Sequence, residues 1–225
     1  MINKDMKTVE NREKIIPRRI LFVDFNGVIS YNPFWLSLRK PQHPLHTFSE
    51  PIEQTLFGEK RIEGLINEWM LGKHKSESVH QILAERLGVS FDELFAAFCE
   101  DCKTIDISEP ILEKVRALRK DWYCILKTDN MDSFHRFTLP SNPQLSATFD
   151  EIHNSYLLRQ LKKTNNGETF VSDATRLGVS LTNCVLIDDS ASTCRMFEDL
   201  GGRVFQPRNE AEAISALEEL RTNYC

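Results

Sequence analysis

Apolar residues follow two rhythms along this chain. Ile20, Leu21, Phe22 and Val23 form an unbroken apolar run that stops at Asp24, the pattern of a parallel strand buried on both faces. The pattern returns from Trp122 to Leu126, ending at Thr128, and from Cys184 to Ile187, ending at Asp188 and Asp189. Val204 and Phe205 predict a short further strand, and the segment around Thr148, Phe149 and Ile152 another. Between these runs the apolar residues take helical spacing. Helices are predicted over Ile111 to Leu118, over Glu168 to Leu177 before Gly178, through Met196 and Phe197 up to Gly201 and Gly202, and over Ile214, Leu217 and Leu220. Alternating strands and helices predict an α/β fold, a Rossmann-like parallel sheet flanked by helices.

Residues 31–106 break that alternation. A Pro-rich loop, PQHPLH, leads into helical patterns without a convincing strand. Ile62, Leu65, Ile66, Trp69 and Met70 share one helix face, with Gly72 as a stop. Ser76 or Ser78 is positioned to cap a second helix carrying Val79, Ile82, Leu83 and Leu87 and ending at Gly88. Ser90 with Glu93 is a capping-box pattern for a third, whose face holds Phe91, Leu94, Phe95 and Phe98. The expected organisation is therefore an α/β core from 1–30 and 107–225, with an all-helical domain inserted at 31–106. The polar segment 1–17 reads as a loose arm.

Charge and composition narrow the partners. Among 225 residues the net charge is −5, which argues against nucleic acid as a partner. No window approaches the roughly 18 apolar residues of a membrane span, and MINKDMKTVENREK lacks the apolar stretch of a signal peptide. The expectation is a cytoplasmic protein, monomer or homodimer, with no membrane contact. Of six cysteines, Cys124 and Cys184 lie inside apolar runs, while Cys99 and Cys102 fall in a helical pattern with no second pair to complete a zinc site. They are expected to be structural. His43 and His46, three apart among prolines, are expected to be surface histidines rather than metal ligands.

The chemistry sits at the strand ends. In an open parallel sheet the ligand crevice lies beyond the carboxyl ends of the strands, so Asp24, Thr128, Asp188 and Asp189 can converge if their strands are neighbours. Three carboxylates in one crevice repel unless a cation sits among them, and magnesium, which prefers oxygen ligands, is the expected one.

DFNGVIS, the apolar run into Thr128, and LIDDS, in that order, resemble the haloacid-dehalogenase-like superfamily, in its members with a helical cap inserted after the first core strand. The resemblance covers most of the chain. It implies a magnesium-dependent hydrolase, a phosphatase acting on a small phosphorylated metabolite, with Asp24 attacking phosphorus to form an aspartyl phosphate. It further implies that Asp24, the backbone carbonyl of Asn26, Asp188 and Asp189 hold the metal, and that Thr128, with Asp129 beside it, contacts the phosphoryl group. The family lysine falls, by spacing, on Thr164; Lys163, one residue away, is assigned in preference to Lys162. The loop containing Tyr31, Phe34, Trp35, Arg39 and Lys40 suits either gripping an anionic substrate with an apolar body or ordinary packing of the cap.

One departure bears on activity. Phosphatases of this type carry an aspartate two residues after the nucleophile as general acid and base, where this chain has Asn26. An amide transfers no proton, and general acid–base catalysis is worth roughly 10² to 10⁴-fold. Acyl, aryl and anhydride phosphates need that help least. The alternative reading is a catalytically weak or inactive member that binds a phosphorylated ligand or a partner.

Overall fold

The computed structural model describes residues 19–59 and 61–223; the segment read as a loose arm lies outside them, as does Cys225. Five strands form one parallel sheet: β1 (Ile20–Val23), β2 (Tyr123–Thr128), β3 (Glu151–Asn154), β4 (Cys184–Ile187) and β5 (Arg203–Phe205), in the order β3-β2-β1-β4-β5. The chain builds outward from β1 to β3, then crosses back to lay β4 on the other side of β1. That reversal is a topological switch point, and it opens a crevice beyond the ends of β1 and β4.

Both faces of the sheet are covered, which is why the central strands read as continuous apolar runs. Alternate residues point to opposite sides. Leu21, Val23, Leu126, Val185 and Ile187 pack against the helices Glu109–Leu118 and Glu210–Asn223. Ile20, Phe22, Ile125 and Leu186 pack against Glu168–Arg176 and Ala191–Asp199, where Phe22, Phe170 and Phe197 meet edge to face. The edge strand β3 is half-buried over most of its length and begins only at Glu151. Thr148, expected in that strand, instead closes a helix over Pro143–Thr148; Pro143 in its first turn favours that start.

Between 31 and 106 the regular elements among the described residues are helices, Ser49–Leu56, Leu65–Met70, Ser76–Leu87 and Phe91–Lys103, with 3-10 turns at Leu36–Arg39 and His46–Phe48. They enclose a core of their own, including Trp35, Leu38, Ile52, Leu56, Trp69, Leu83 and Phe98. Ser49–Leu56 was not anticipated, since its apolar positions are few. Ile62 lies outside its expected helix, because Gly64 turns left-handed at φ 78° just before Leu65. Ser90 caps as expected, accepting from Glu93 N–H at 3.4 Å. Neither Ser76 nor Ser78 caps its helix. That role falls to Asp132, four residues past β2, whose carboxylate accepts from Ser76 N–H (3.1 Å), Ser76 Oγ–H (2.6 Å), Trp69 Nε1–H (2.7 Å) and Arg136 (2.7 Å). Only 2% of Asp132 is exposed, so one buried carboxylate ties two inserted helices to the sheet.

The thiols of Cys99, Cys102, Cys124, Cys184 and Cys194 are free, and burial pushes Cys102, Cys184 and Cys194 up to about 12. They stay protonated and behave as small apolar residues. His43 and His46 are half-buried. His43 Nδ1 accepts from Leu45 N–H at 3.0 Å and His46 Nδ1 meets Leu38 O at 2.9 Å, so both close loop turns.

One charged side chain of β2 is buried on the opposite face from Leu126. Lys127 Nζ lies 2.6 Å from Asp173 Oδ2 and 3.2 Å from Thr169 O, with the Phe170 ring 4.9 Å away. Asp173 also faces His153 (3.1 Å) and Arg176 (3.2 Å). The two partners are therefore unequal. Removing the carboxylate leaves an unpaired buried ammonium, so Asp173→Ala is expected to cost about 3–5 kcal/mol, whereas Lys127→Met, which leaves Asp173 its other partners, costs under about 2 kcal/mol. Urea unfolding of both variants measures the difference.

Candidate active site

The ends of β1 and β4 lie side by side, and the ladder continues one residue past them: Asp24 N–H donates to Ile187 O at 2.9 Å, and Asp188 N–H to Phe205 O at 3.2 Å. This fixes both carboxylates at the switch point. Asp24 Oδ1 accepts from Phe25 N–H (2.7 Å), and Asp188 Oδ1 from Ser190 N–H (2.9 Å). Their other oxygens converge on Lys162 Nζ, 2.8 Å from Asp24 Oδ2 and 2.6 Å from Asp188 Oδ2. Asp189 completes the group: Asp24, Asp188 and Asp189 offer carboxylate oxygens within 4.8 Å of one another.

A tight loop after β1 presses on this cluster. Gly27 N–H donates to Ser30 O at 2.8 Å, and Ile29 and Ser30 N–H both return to Phe25 O. Gly27 has φ +76°, and a Cβ there would lie 2.3 Å from Asp189 Oδ2. Only glycine meets both demands.

The charges do not balance. Burial pushes the Asp24 carboxyl up to about 7, with Asp188 adding to the effect and Lys162 opposing it. Burial disfavours the Lys162 ammonium, but Asp24, Asp188 and Asp129 outweigh it and raise its pKa above the usual lysine range. Burial and the neighbouring Asp188 also push Asp189 upward. Three carboxylates thus face a single firmly held ammonium, and a divalent cation with oxygen ligands fits the deficit. Thr128 adds an independent sign of an anionic ligand. Its hydroxyl is buried at the end of β2 with no hydrogen-bond partner among the described residues, a costly state for a polar group unless a ligand meets it.

One sequence expectation needs correction here. Lys163 does not reach the cluster: it is exposed, and its Nζ donates to Ser192 Oγ at 2.9 Å. Lys162, 5% exposed, occupies the place instead. The count by spacing fails because the loop folds into a local turn, with Leu161 N–H on Thr164 Oγ1 (3.1 Å) and both Asn165 and Asn166 left-handed. Asp129 Oδ1 accepts from Lys162 backbone N–H at 2.9 Å, so Asp129 holds the lysine's loop. Asn130 was not singled out in the sequence, which carries no local signal for it; its Nδ2 donates to Asn26 Oδ1 at 3.0 Å.

Asn26 and Phe25 line a cavity of about 20 Å³ together with Phe34, Trp35 and Asn130. Phe34 and Trp35 also wall a larger cleft of about 230 Å³. Arg39, which lines that cleft, is paired with Glu53 at 3.0 Å, and Tyr31 is exposed. Of the loop expected to grip a substrate, it is the aromatic pair that borders the nucleophile loop.

No family model matches the sequence, and no curated protein does. Solved structures match throughout the chain at low identity. A HAD-family enzyme from Bacteroides thetaiotaomicron, in complex with magnesium and inorganic phosphate, is 19% identical over 84% of this chain and 93% of that one, with a TM-score of 0.64. A predicted HAD-like hydrolase from Porphyromonas gingivalis is 20% identical over 90% and 97%, with a TM-score of 0.68. A 2-haloacid dehalogenase from Pseudomonas syringae pv. Tomato DC3000 is 14% identical over 92% and 99%, with a TM-score of 0.57. The chain has the haloacid-dehalogenase-like fold, with its acidic strand ends at the switch point of the sheet.

Proposed function

We propose that this chain is a magnesium-dependent hydrolase of the haloacid-dehalogenase-like superfamily, a phosphatase acting on a small phosphorylated metabolite. The observation that carries the reading is the convergence of Asp24, Asp188 and Asp189 around Lys162. The magnesium and phosphate bound by the Bacteroides structure support it. The acidic trio favours phosphoryl transfer over carbon–halogen cleavage, where a cation has no phosphate to bridge.

Asp24, Asp188, Asp189 and the Asn26 carbonyl would hold the cation. When bound it supplies charge neutralisation at the phosphoryl oxygens. Asp24 attacks phosphorus through the oxygen that faces Lys162 while the bond from phosphorus to the leaving-group oxygen breaks, its electron pair going out on that oxygen. Water then cleaves the aspartyl phosphate, releasing phosphate and restoring Asp24. Lys162 offsets the charge of the transferring group, and the Thr128 hydroxyl gains the acceptor it lacks. Asp129 holds Lys162 in position through its backbone. The helical insert serves as a cap that shields the site from water, with Phe34 and Trp35 against the leaving group.

Asn26 favours a second reading, a weak or inactive member that binds a phosphorylated ligand, and one assay separates the two. A magnesium-dependent panel of alkyl, aryl and acyl phosphates should show turnover on the activated esters, with Asp24→Asn lowering it at least ~10³-fold. Full activity in Asp24→Asn sinks the nucleophile, and magnesium-dependent phosphate binding without turnover supports the second reading.

The two lysines give a separate check. Lys162→Met should lower kcat by roughly 10² to 10³-fold, the scale of losing one preorganised charge contact. Lys163→Met, which removes only an exposed contact to Ser192, should stay within about twofold of the parent. Steady-state kinetics on an aryl phosphate reads both, and equal losses would return Lys163 to the site.

A further inference from the structure

Strands β2 and β3 run side by side to their ends, with Thr128 opposite Asn154, so the residues that follow them meet. Ser155, the first residue past β3, is 2% exposed, and its hydroxyl sits among three backbone atoms. Asn130 N–H lies 3.0 Å from Ser155 Oγ, Met70 O 2.9 Å and Asn130 O 3.2 Å. The N–H only donates and the two carbonyls only accept, so the hydroxyl oxygen takes the Asn130 bond and gives its own proton to one carbonyl. Met70 O, the nearer of the two, ends the inserted helix Leu65–Met70, where a helix leaves its carbonyls without donors of its own. One buried hydroxyl thus joins the insert to the segment after β2.

The contact continues toward Asp24. Met131 N–H donates to Asn130 Oδ1 at 2.9 Å, which identifies the amide oxygen and leaves Asn130 Nδ2 to donate to Asn26 Oδ1 at 3.0 Å. Asn26 stands two residues past Asp24, and its backbone carbonyl is one of the atoms that would hold the cation. Anchoring the side chain restricts how far that carbonyl can turn. Three hydrogen bonds therefore lead from Met70 through Ser155 and Asn130 to Asn26, from the insert to the loop after the nucleophile. No two of these residues are neighbours in sequence. Asp132 is a separate tie: it fastens Trp69 and Ser76, so the insert stays docked when the Ser155 hydroxyl is removed.

Resting on the reading of Asp24 as nucleophile and of the Asn26 carbonyl as a cation ligand, we propose that Ser155 is a positioning residue: through Asn130 it holds the loop of Asn26 in register with the inserted helix Leu65–Met70. It touches neither substrate nor cation. Its hydroxyl sets the direction of a ligand that the cation needs. Loss of such an outer contact weakens metal binding by roughly 10 to 100-fold, and Ser155, acting through two hydrogen bonds, belongs at the lower end.

Calorimetric titration of the full chain with magnesium alone, with no substrate present, measures the effect without reference to turnover. Ser155→Ala should weaken magnesium binding about tenfold, and Asn26→Ala, which keeps the backbone carbonyl and cuts the relay at its far end, by at least as much. In the Asn26→Ala background, Ser155→Ala should change the affinity by less than about twofold, since the path it acts through is gone. Thr55→Ala removes a buried hydroxyl bond inside the insert, Thr55 Oγ1 to Pro51 O at 2.7 Å; it should stay within about twofold of the parent, which separates positioning from a loss of stability alone. Ser155→Cys, close in volume and a weak hydrogen-bonding group, takes the place of Ser155→Ala if that variant does not fold. Parent-like affinity in the Ser155 variant, a loss that multiplies with that of Asn26→Ala, or equal weakening in Thr55→Ala overturns this inference and leaves the hydrolase reading to the Asp24→Asn assay. A parent chain that neither binds magnesium nor turns over any ester in the panel overturns both.

Discussion

Lys162 lies between Asp24 and Asp188 with almost no access to water, and much of the structure around it follows from the need to keep it there. Each of these charges carries a desolvation penalty of several kcal/mol on burial. The cluster is tolerable only because the three are within hydrogen-bond distance and their remaining atoms are also satisfied. The ammonium must be delivered to the switch point of the sheet, and the loop after β3 is built for that delivery. Asp129 grips the lysine's backbone, and the left-handed turn at Asn165 and Asn166 sets its direction. Gly27 closes the opposite side, where no side chain fits against Asp189.

The inserted helices answer to a second buried charge. Asp132 gathers donors from Trp69, Ser76 and Arg136, so the insert is joined to the sheet by directional bonds as well as apolar contact. Inside the insert, burial lowers His80 to about 4, and its Nδ1 meets Ser76 O at 2.7 Å. The neutral ring packs at 4.3 Å from Phe98 and 5.5 Å from Trp35. Trp35 also lines the cavity beside Asn26. A continuous run of aromatic packing thus leads from the middle of the insert to the nucleophile loop.

The sheet was legible because its central strands are buried on both faces, leaving little for sequence to say except apolar runs with abrupt polar ends. β3, an edge strand of mixed polarity, had no such run, and Thr148 and Phe149, grouped with it in the sequence, lie ahead of its start at Glu151. Asp24, Asp188 and Asp189 were legible as strand ends, and the fold brings them together without any change in register. Lys162 was not, because it sits in a loop whose course depends on hydrogen bonds with residues far away in sequence. Asp132 was invisible as a cap for the same reason: its partners are more than fifty positions distant. Local rules name the serine in front of a helix, and tertiary structure supplied an aspartate.

The strand order has a consequence for how the chain matures. Asp24 leaves the ribosome early, Lys162 much later, and Asp188 later still, so the charges that satisfy one another belong to stretches made at different times. Until β4 docks beside β1, Lys162 lacks the carboxylate of Asp188 that it meets at 2.6 Å. Assembly of the centre and closure of the sheet on that side are one event in folding. A chain stalled or truncated before Asp188 would carry the nucleophile and none of the environment that gives it a use.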